Sequence, residues 1–308
     1  MRFKETLALF VDSAKDFGRD DCQTQAAALS YYTIFSLPPL LAVLLFILGS
    51  FLDPRDLQGQ LQQQIGALMG PTAAEQIRTI LQQARQPEGR GILPKVLSVG
   101  ALVLGATGAF GQLQAALNRA WEVAPDPEQG GLKQFLLKRV FSFGMVFVVA
   151  FFLLVSLAVS AVLSAFGGAL GGMLPEGISG TLLQAVNQIV SLAVVTVLFA
   201  AIFKVLPDAK VAWRDVWVGA FATAVLFVVG KFLIGFYLGR TNPGEAFGAA
   251  ASLAVLFVWV YYSSMILLFG AEFTETWADR RGSGISPQRG AVRVVEEKRL
   301  VHDRPVHA

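Results

Sequence analysis

Between Ala26 and Leu52 the chain runs without a charged residue, through AAALSYYTIFSLPPLL and on through AVLLFILGSFL. Few folds accommodate such a run. About 20 apolar residues, rising about 1.5 Å each as a helix, cross the hydrocarbon core of a bilayer. Pro38 and Pro39 sit near the middle of the stretch. A proline removes a backbone donor and crowds the preceding turn. In lipid the freed carbonyls need partners inside the protein or in a hydrated cavity. The sequence therefore predicts a spanning helix broken at Pro38-Pro39. Ser30, Tyr31, Tyr32, Thr33 and Ser36 precede the break and offer hydroxyls either to those carbonyls or to a cavity.

Composition places the rest of the chain in the same solvent. Only 15% of the residues are charged, against about a quarter in soluble domains, and 54% are hydrophobic. Cys22 is the only cysteine, which excludes an intramolecular disulfide and a thiolate metal cluster. Residues 1–25 mix acids and bases and lack the apolar core of a secretory signal.

In chain order, Phe3, Leu7, Phe10, Val11, Ala14 and Phe17 fall at helical spacing opposite Lys4, Glu5, Asp12, Lys15 and Asp16. This predicts an amphipathic surface helix and entry over 1–25, lying on the membrane or packed against the protein. After the first span, Asp53-Pro54 reads as a helix start. Two apolar stripes then predict an amphipathic helix pair outside the bilayer over 54–86. Further spans are expected at about 92–113, 140–166, 181–206, 216–238 and 246–277. The second carries Gly100, Gly105, Gly108 and Gly111, small residues that let helices approach closely. The expectation is an all-α membrane protein: six transmembrane helices within 26–277, followed by a disordered basic tail over 278–308.

Six spans put both termini on one side. Eighteen Lys and Arg fall on that side and six on the other, which predicts cytoplasmic termini and a multi-pass protein of the bacterial inner membrane.

Candidate functional residues are few, because charge inside a span is costly. Lys231 lies in the fifth span, where it can snorkel or attract an anionic group. Glu272 lies near the cytoplasmic end of the sixth, with Arg280, Arg281 or a connection as pairing candidates. Gln184, Gln188 and Ser191 share one face of the fourth span with Asn187 beside them, either as interhelical glue or as the lining of a hydrated path. Asp16, Asp20 and Asp21 read as a solvated helix entry rather than as metal ligands. His302 and His307 lie in the tail, and no HExxH, CxxC, GxSxG or P-loop spacing is present. The expectation is a protein that is not an enzyme, with no cofactor, metal, nucleotide or nucleic acid. Its expected partners are membrane lipids and, conceivably, further copies of itself.

The stretches AAALSYYTIFSLPPLL, GQLQAALNRAWEV (111–123), KVLPDAKVAWRDVWVGA (204–220) and AFGAAASLAVLFVWVYYSSMILLFGAEFTE (246–275) resemble the YihY/BrkB family of bacterial inner-membrane proteins, some of which have carried a ribonuclease BN label. Family-motif residues here are Tyr31, Tyr32, Asn118, Trp121, Pro207, Trp213, Trp259, Tyr261, Gly270 and Glu272. Phe247 departs from the usual tyrosine. The resemblance implies six spans with cytoplasmic termini and a link to envelope lipids. The function expected is a transporter or flippase for a lipid or other anionic amphiphile, with Ser36, Pro38, Pro39, Gln184, Asn187, Gln188 and Lys231 around the path. The alternatives are a non-transporting envelope scaffold that docks through 54–86 and, remotely, a ribonuclease.

Overall fold

A computed structural model describes residues 3–48, 108–129, 178–241 and 251–295. The amphipathic pair at 54–86, the third span, most of the second span and residues 296–308 lie outside the described residues.

Long helices dominate. They are α1 (Phe3–Arg19), α2 (Cys22–Leu48), a helix α3 described over 108–120, α4 (Ile178–Val205), α5 (Trp213–Thr241) and α6 (Ala251–Arg281). Their bounds follow the apolar runs within a few residues. Among the described residues three helices have stretches long and apolar enough to cross a membrane: Gln188–Val205, Trp213–Phe236 and Leu253–Arg281.

The expected break in the first span is absent. Helix α2 is continuous from Cys22 to Leu48, through Pro38 and Pro39. A helix can carry prolines without breaking. Two residues before them, Ser36 Oγ is buried and accepts a hydrogen bond from the Ala109 amide at 3.2 Å, which ties this part of α2 to α3.

Helices α5 and α6 run antiparallel and interlock through a reciprocal pair of residues. Gly219 and Thr223 on α5 sit one turn apart, as do Gly270 and Thr274 on α6. A side chain at Gly219 would strike Thr274, and one at Gly270 would strike Thr223. Each threonine turns its hydroxyl back to its own helix: Thr223 donates to Gly219 O at 2.7 Å and Thr274 to Gly270 O at 2.6 Å. The polar group is thus satisfied locally while the whole side chain, hydroxyl oxygen foremost, fills the notch of the facing glycine. On the other side α5 packs on α4, where Phe227 meets Phe199 at 5.9 Å and Trp259 of α6 at 6.1 Å. The main core joins Leu117, Trp121, Phe203, Ala220, Ala224 and Leu268. Away from it, Trp213, Trp217, Phe221, Val229 and Phe236 of α5 stay exposed, as a lipid-facing stripe requires.

Helix α1 packs against α6. Phe10 meets Phe273 at 5.0 Å, and Ser13 Oγ donates to Leu9 O and reaches Thr276 Oγ1 at 3.1 Å. Leu7 and Val11 remain exposed on its outer side. The apolar face is therefore divided between the protein and its surroundings.

The tail is ordered well past the expected boundary. Helix α6 continues to Arg281, and two short strands follow. Strand β1 (Val123–Pro125) pairs antiparallel with β4 (Ala291–Arg293), and β2 (Ala209–Lys210) with β3 (Ser286–Pro287). Composition suggested disorder over 278–308, but residues 286–293 gain backbone partners from two distant connections.

Candidate functional site

The end of the bundle that carries the N-terminus and the tail is where polar side chains gather. The α1–α2 reversal begins it. Asp21 takes a left-handed conformation (φ 55°) and accepts a hydrogen bond from Thr24 Oγ1 at 2.9 Å in the first turn of α2. This turn aims Cys22 into the bundle. Its thiol is 1% exposed and donates to Glu272 Oε1 at 3.2 Å.

Glu272 is fully buried, and its second oxygen, Oε2, has no hydrogen-bond partner among the described residues. The arginines named as its candidates are engaged elsewhere: Arg280 pairs with Asp12, and Arg281 with Glu5 at 2.8 Å. Glu275, one turn further along α6, is also buried. Asp20, expected to be solvated, is only 14% exposed at its side chain, and its Oδ2 has no partner among the described residues. Burial pushes the Asp20 carboxyl above the usual carboxylate range, against the pull of Arg19 and with a push from Glu122 and Asp16. Arg119 donates to Asp20 O at 3.0 Å, and Arg19 reaches Asp16, Asp20 and Glu122. Among the described residues no His, Cys, Asp and Glu group is arranged to hold a metal ion.

Beside this lies a second polar set. Asn118 clasps Asp208 twice: Nδ2 donates to Oδ2 at 2.8 Å, and Oδ1 accepts from the Asp208 amide at 2.8 Å. Gln114 adds a third bond at 3.3 Å. Trp121 is buried and donates from Nε1 to Ala271 O at 3.0 Å, immediately before Glu272. Gln288 of the tail bonds Ala209 O, and the Ser283 amide bonds buried Asp215. Asn118, Trp121, Pro207, Gly270 and Glu272, widely separated in sequence, thus meet in one region. Trp259 is buried and Tyr261 packs on the core, whereas Tyr31, Tyr32 and Trp213 are exposed, the last beneath Lys204.

The residues expected along a path do not share one setting. Ser36 is buried against α3. Gln188 and Ser191 are exposed on α4, and Lys231 is half-buried on α5. The side chains of Pro38, Pro39, Gln184 and Asn187 lie outside the described residues. A different feature lies on another side of α5 from Lys231. An apolar groove of about 300 Å³ opens between α5 and α6, lined by Val229, Gly230, Leu233, Tyr262, Ile266 and Phe269, with Phe17 of α1 at its edge.

Sequence reasoning passed over Cys22 and Asp208. Asp208 was signalled by the LPD run that follows α4. Cys22 gave no local signal, because its partner lies 250 residues away. Chemically, a thiol that donates to a carboxyl is kept as a thiol, unlike the thiolate that nucleophilic cysteines require.

A family model described as Virulence factor BrkB matches residues 13–294. Curated proteins named UPF0761 membrane protein are similar to the chain. The one from Psychromonas ingrahamii is 27% identical, over 84% of this chain and 83% of its own length. One from Psychrobacter sp. is 28% identical over 94% of this chain, and one from Pseudomonas paraeruginosa is 30% identical over 84%. The chain covers 52% and 60%, respectively, of the length of those two relatives. No solved structure matches the chain.

Proposed function

Because the chain belongs to the Virulence factor BrkB family and is a membrane protein, we propose that it moves a lipid or another anionic amphiphile across the bacterial inner membrane. On this reading six helices span the bilayer and both termini face the cytoplasm, in keeping with the excess of Lys and Arg on the terminal side.

The observation that carries the proposal is the groove between α5 and α6. Its volume of about 300 Å³ lies at the lower end of small-molecule sites, enough for part of an acyl chain. Its walls are almost wholly apolar, and it lies along helices apolar enough to span, so an acyl chain can enter sideways without leaving hydrocarbon. Lys231 follows Gly230 in the chain but, at about 3.6 residues per turn, projects from another side of α5 than Leu226, Val229, Gly230 and Leu233 of the groove wall. The slot itself selects for an acyl chain over a free ion. The reading assigns the protein no bond-breaking step.

Purified protein reconstituted in vesicles with fluorescent phospholipid tests this. Label moved to the outer leaflet becomes accessible to an impermeant quencher. Val229→Trp fills the groove from an exposed position of α5 and is expected to slow movement about tenfold while leaving the fold intact. Equal rates for vesicles with and without correctly folded protein, across neutral and anionic lipids, would remove the proposal.

A further inference from the structure

We propose that Glu272, with the Cys22 thiol against it, is a proton-binding site inside the bundle, exchanging one proton on the carboxyl oxygen that no donor reaches. Three observations converge. The side chain is fully buried. One oxygen is engaged by a weak donor, the thiol at 3.2 Å, and the other has no partner among the described residues. The titratable groups around it are mostly acids. They are Asp16 on α1, Asp20 in the turn, Cys22 on α2 and Glu275 on α6, with Glu122 after α3 facing Glu275. Of the cations, Arg19 pairs with Asp16, Asp20 and Glu122, and Arg119 donates to Asp20 O and acts on Cys22. A bare carboxylate here would be buried among mostly like charges, so the arrangement suits a group that takes up a proton.

The step is a simple exchange. On loading, an O–H bond forms at Oε2 with a proton delivered by water. On release that proton returns to water, and the carboxylate keeps the hydrogen bond from Cys22. An ionised acceptor strengthens the S–H···O bond, so the thiol reports the state of the acid. The pair joins the start of α2 to α6, so loading acts directly on that contact. The site does not depend on the transport reading.

Because Cys22 is the only cysteine, the infrared S–H stretch of the full chain comes from this one group. Titrating the purified protein should move that band to lower frequency in one step as pH rises. Over the same step a protonated-carboxyl band should vanish, and carbon-isotope labelling of the glutamates should shift that band. Glu272→Gln should fix the S–H band at every pH, whereas Glu275→Gln should leave the step in place. Asp20→Asn removes a nearby negative charge and should lower the midpoint by about one pH unit. A wild-type S–H band that never moves overturns the proposal, and so does a band that shifts identically in Glu272→Gln. Should that variant fail to fold, the labelled wild type decides. An S–H step with no co-titrating glutamate band defeats the assignment.

Discussion

Two parts of the molecule are held by different means. Where the termini meet the bundle, α1, the ends of α3, α4 and α6 and the tail are tied by directional bonds: Asn118 to Asp208, Trp121 to Ala271 O, Gln288 to Ala209 O and Cys22 to Glu272. Across the seam between α5 and α6 the contact is of another kind. Thr223 and Thr274 spend their hydroxyls on their own backbones, and each side chain packs into the facing glycine. Hydrocarbon solvates apolar side chains as well as another helix does, so close fit has to hold the seam. Polar bonds hold the end, where water competes. Farther along the fitted seam lies the apolar groove, while the bonded end contains an acid with one oxygen unpartnered among the described residues. A device that lets amphiphiles slide needs the first kind of surface, and one that stores a proton needs the second.

The comparison is broken most severely at Trp121. Truncating this buried side chain to alanine empties the core beside Phe203 and strips Ala271 O of its donor. A loss of about 4 kcal/mol is expected. Thermal unfolding in detergent measures it, and a change within error would show that the bonded end is dispensable. Next comes Gly270→Leu, which drives a side chain into Thr223 and should cost about 3 kcal/mol. The partner change Thr223→Gly, made together with it, should return part of that loss. No recovery in the double variant would mean that the two residues do not face each other.

How far all this could be read beforehand depends on the range of the contact. The apolar runs located α4, α5 and α6 within a few residues, because solvent sets hydrophobicity residue by residue. The i, i+4 spacing of Gly270 and Thr274 is visible in the sequence, but its match to Gly219 and Thr223 is a tertiary fact. Pro38-Pro39 misled, since local backbone cost predicts a break and α2 nevertheless runs through both prolines. The tail misled in the opposite way: its composition is that of a disordered segment, yet Ser286–Pro287 and Ala291–Arg293 find strand partners far away in the chain. Glu272 was singled out as costly, and its nearest arginines were the natural suggestion. The structure gives those arginines to α1 instead.

Smaller effects sharpen the polar side of the contrast. Asn118→Ala removes both bonds of the clasp and should cost about 2 kcal/mol. Asn118→Asp should be at least as harmful, since it sets two carboxylates together; a neutral result for either would discount the clasp. Asp20 gives a pH effect of opposite sense to an ordinary salt bridge. Its folded-state affinity for a proton is raised, so its contribution favours the fold at low pH and is lost as pH climbs from the ordinary carboxylate range through the higher folded value. Asp20→Asn should flatten that slope and raise the unfolding midpoint slightly at neutral pH. A variant whose slope equals that of the wild type would show that Asp20 is solvated after all.

The weakest expected effect lies at the surface of the same end. Arg281 reaches Glu5 at 2.8 Å and stands 5.4 Å from the Trp277 ring, but it is 30% exposed and Glu5 is 54% exposed. Water and salt screen such a pair, and ordering two long side chains offsets much of the attraction. Arg281→Ala should therefore cost no more than about 0.5 kcal/mol, and a double-mutant cycle with Glu5→Ala should give a smaller coupling that fades in high salt. Helix α1 would then remain on α6 through Phe10, Leu9 and Ser13, which are anchored below the surface. If α1 instead detached in Arg281→Ala, seen as new protease cleavage between Arg19 and Cys22, surface charge would be holding the helix and the division between a bonded end and a fitted seam would have to be redrawn.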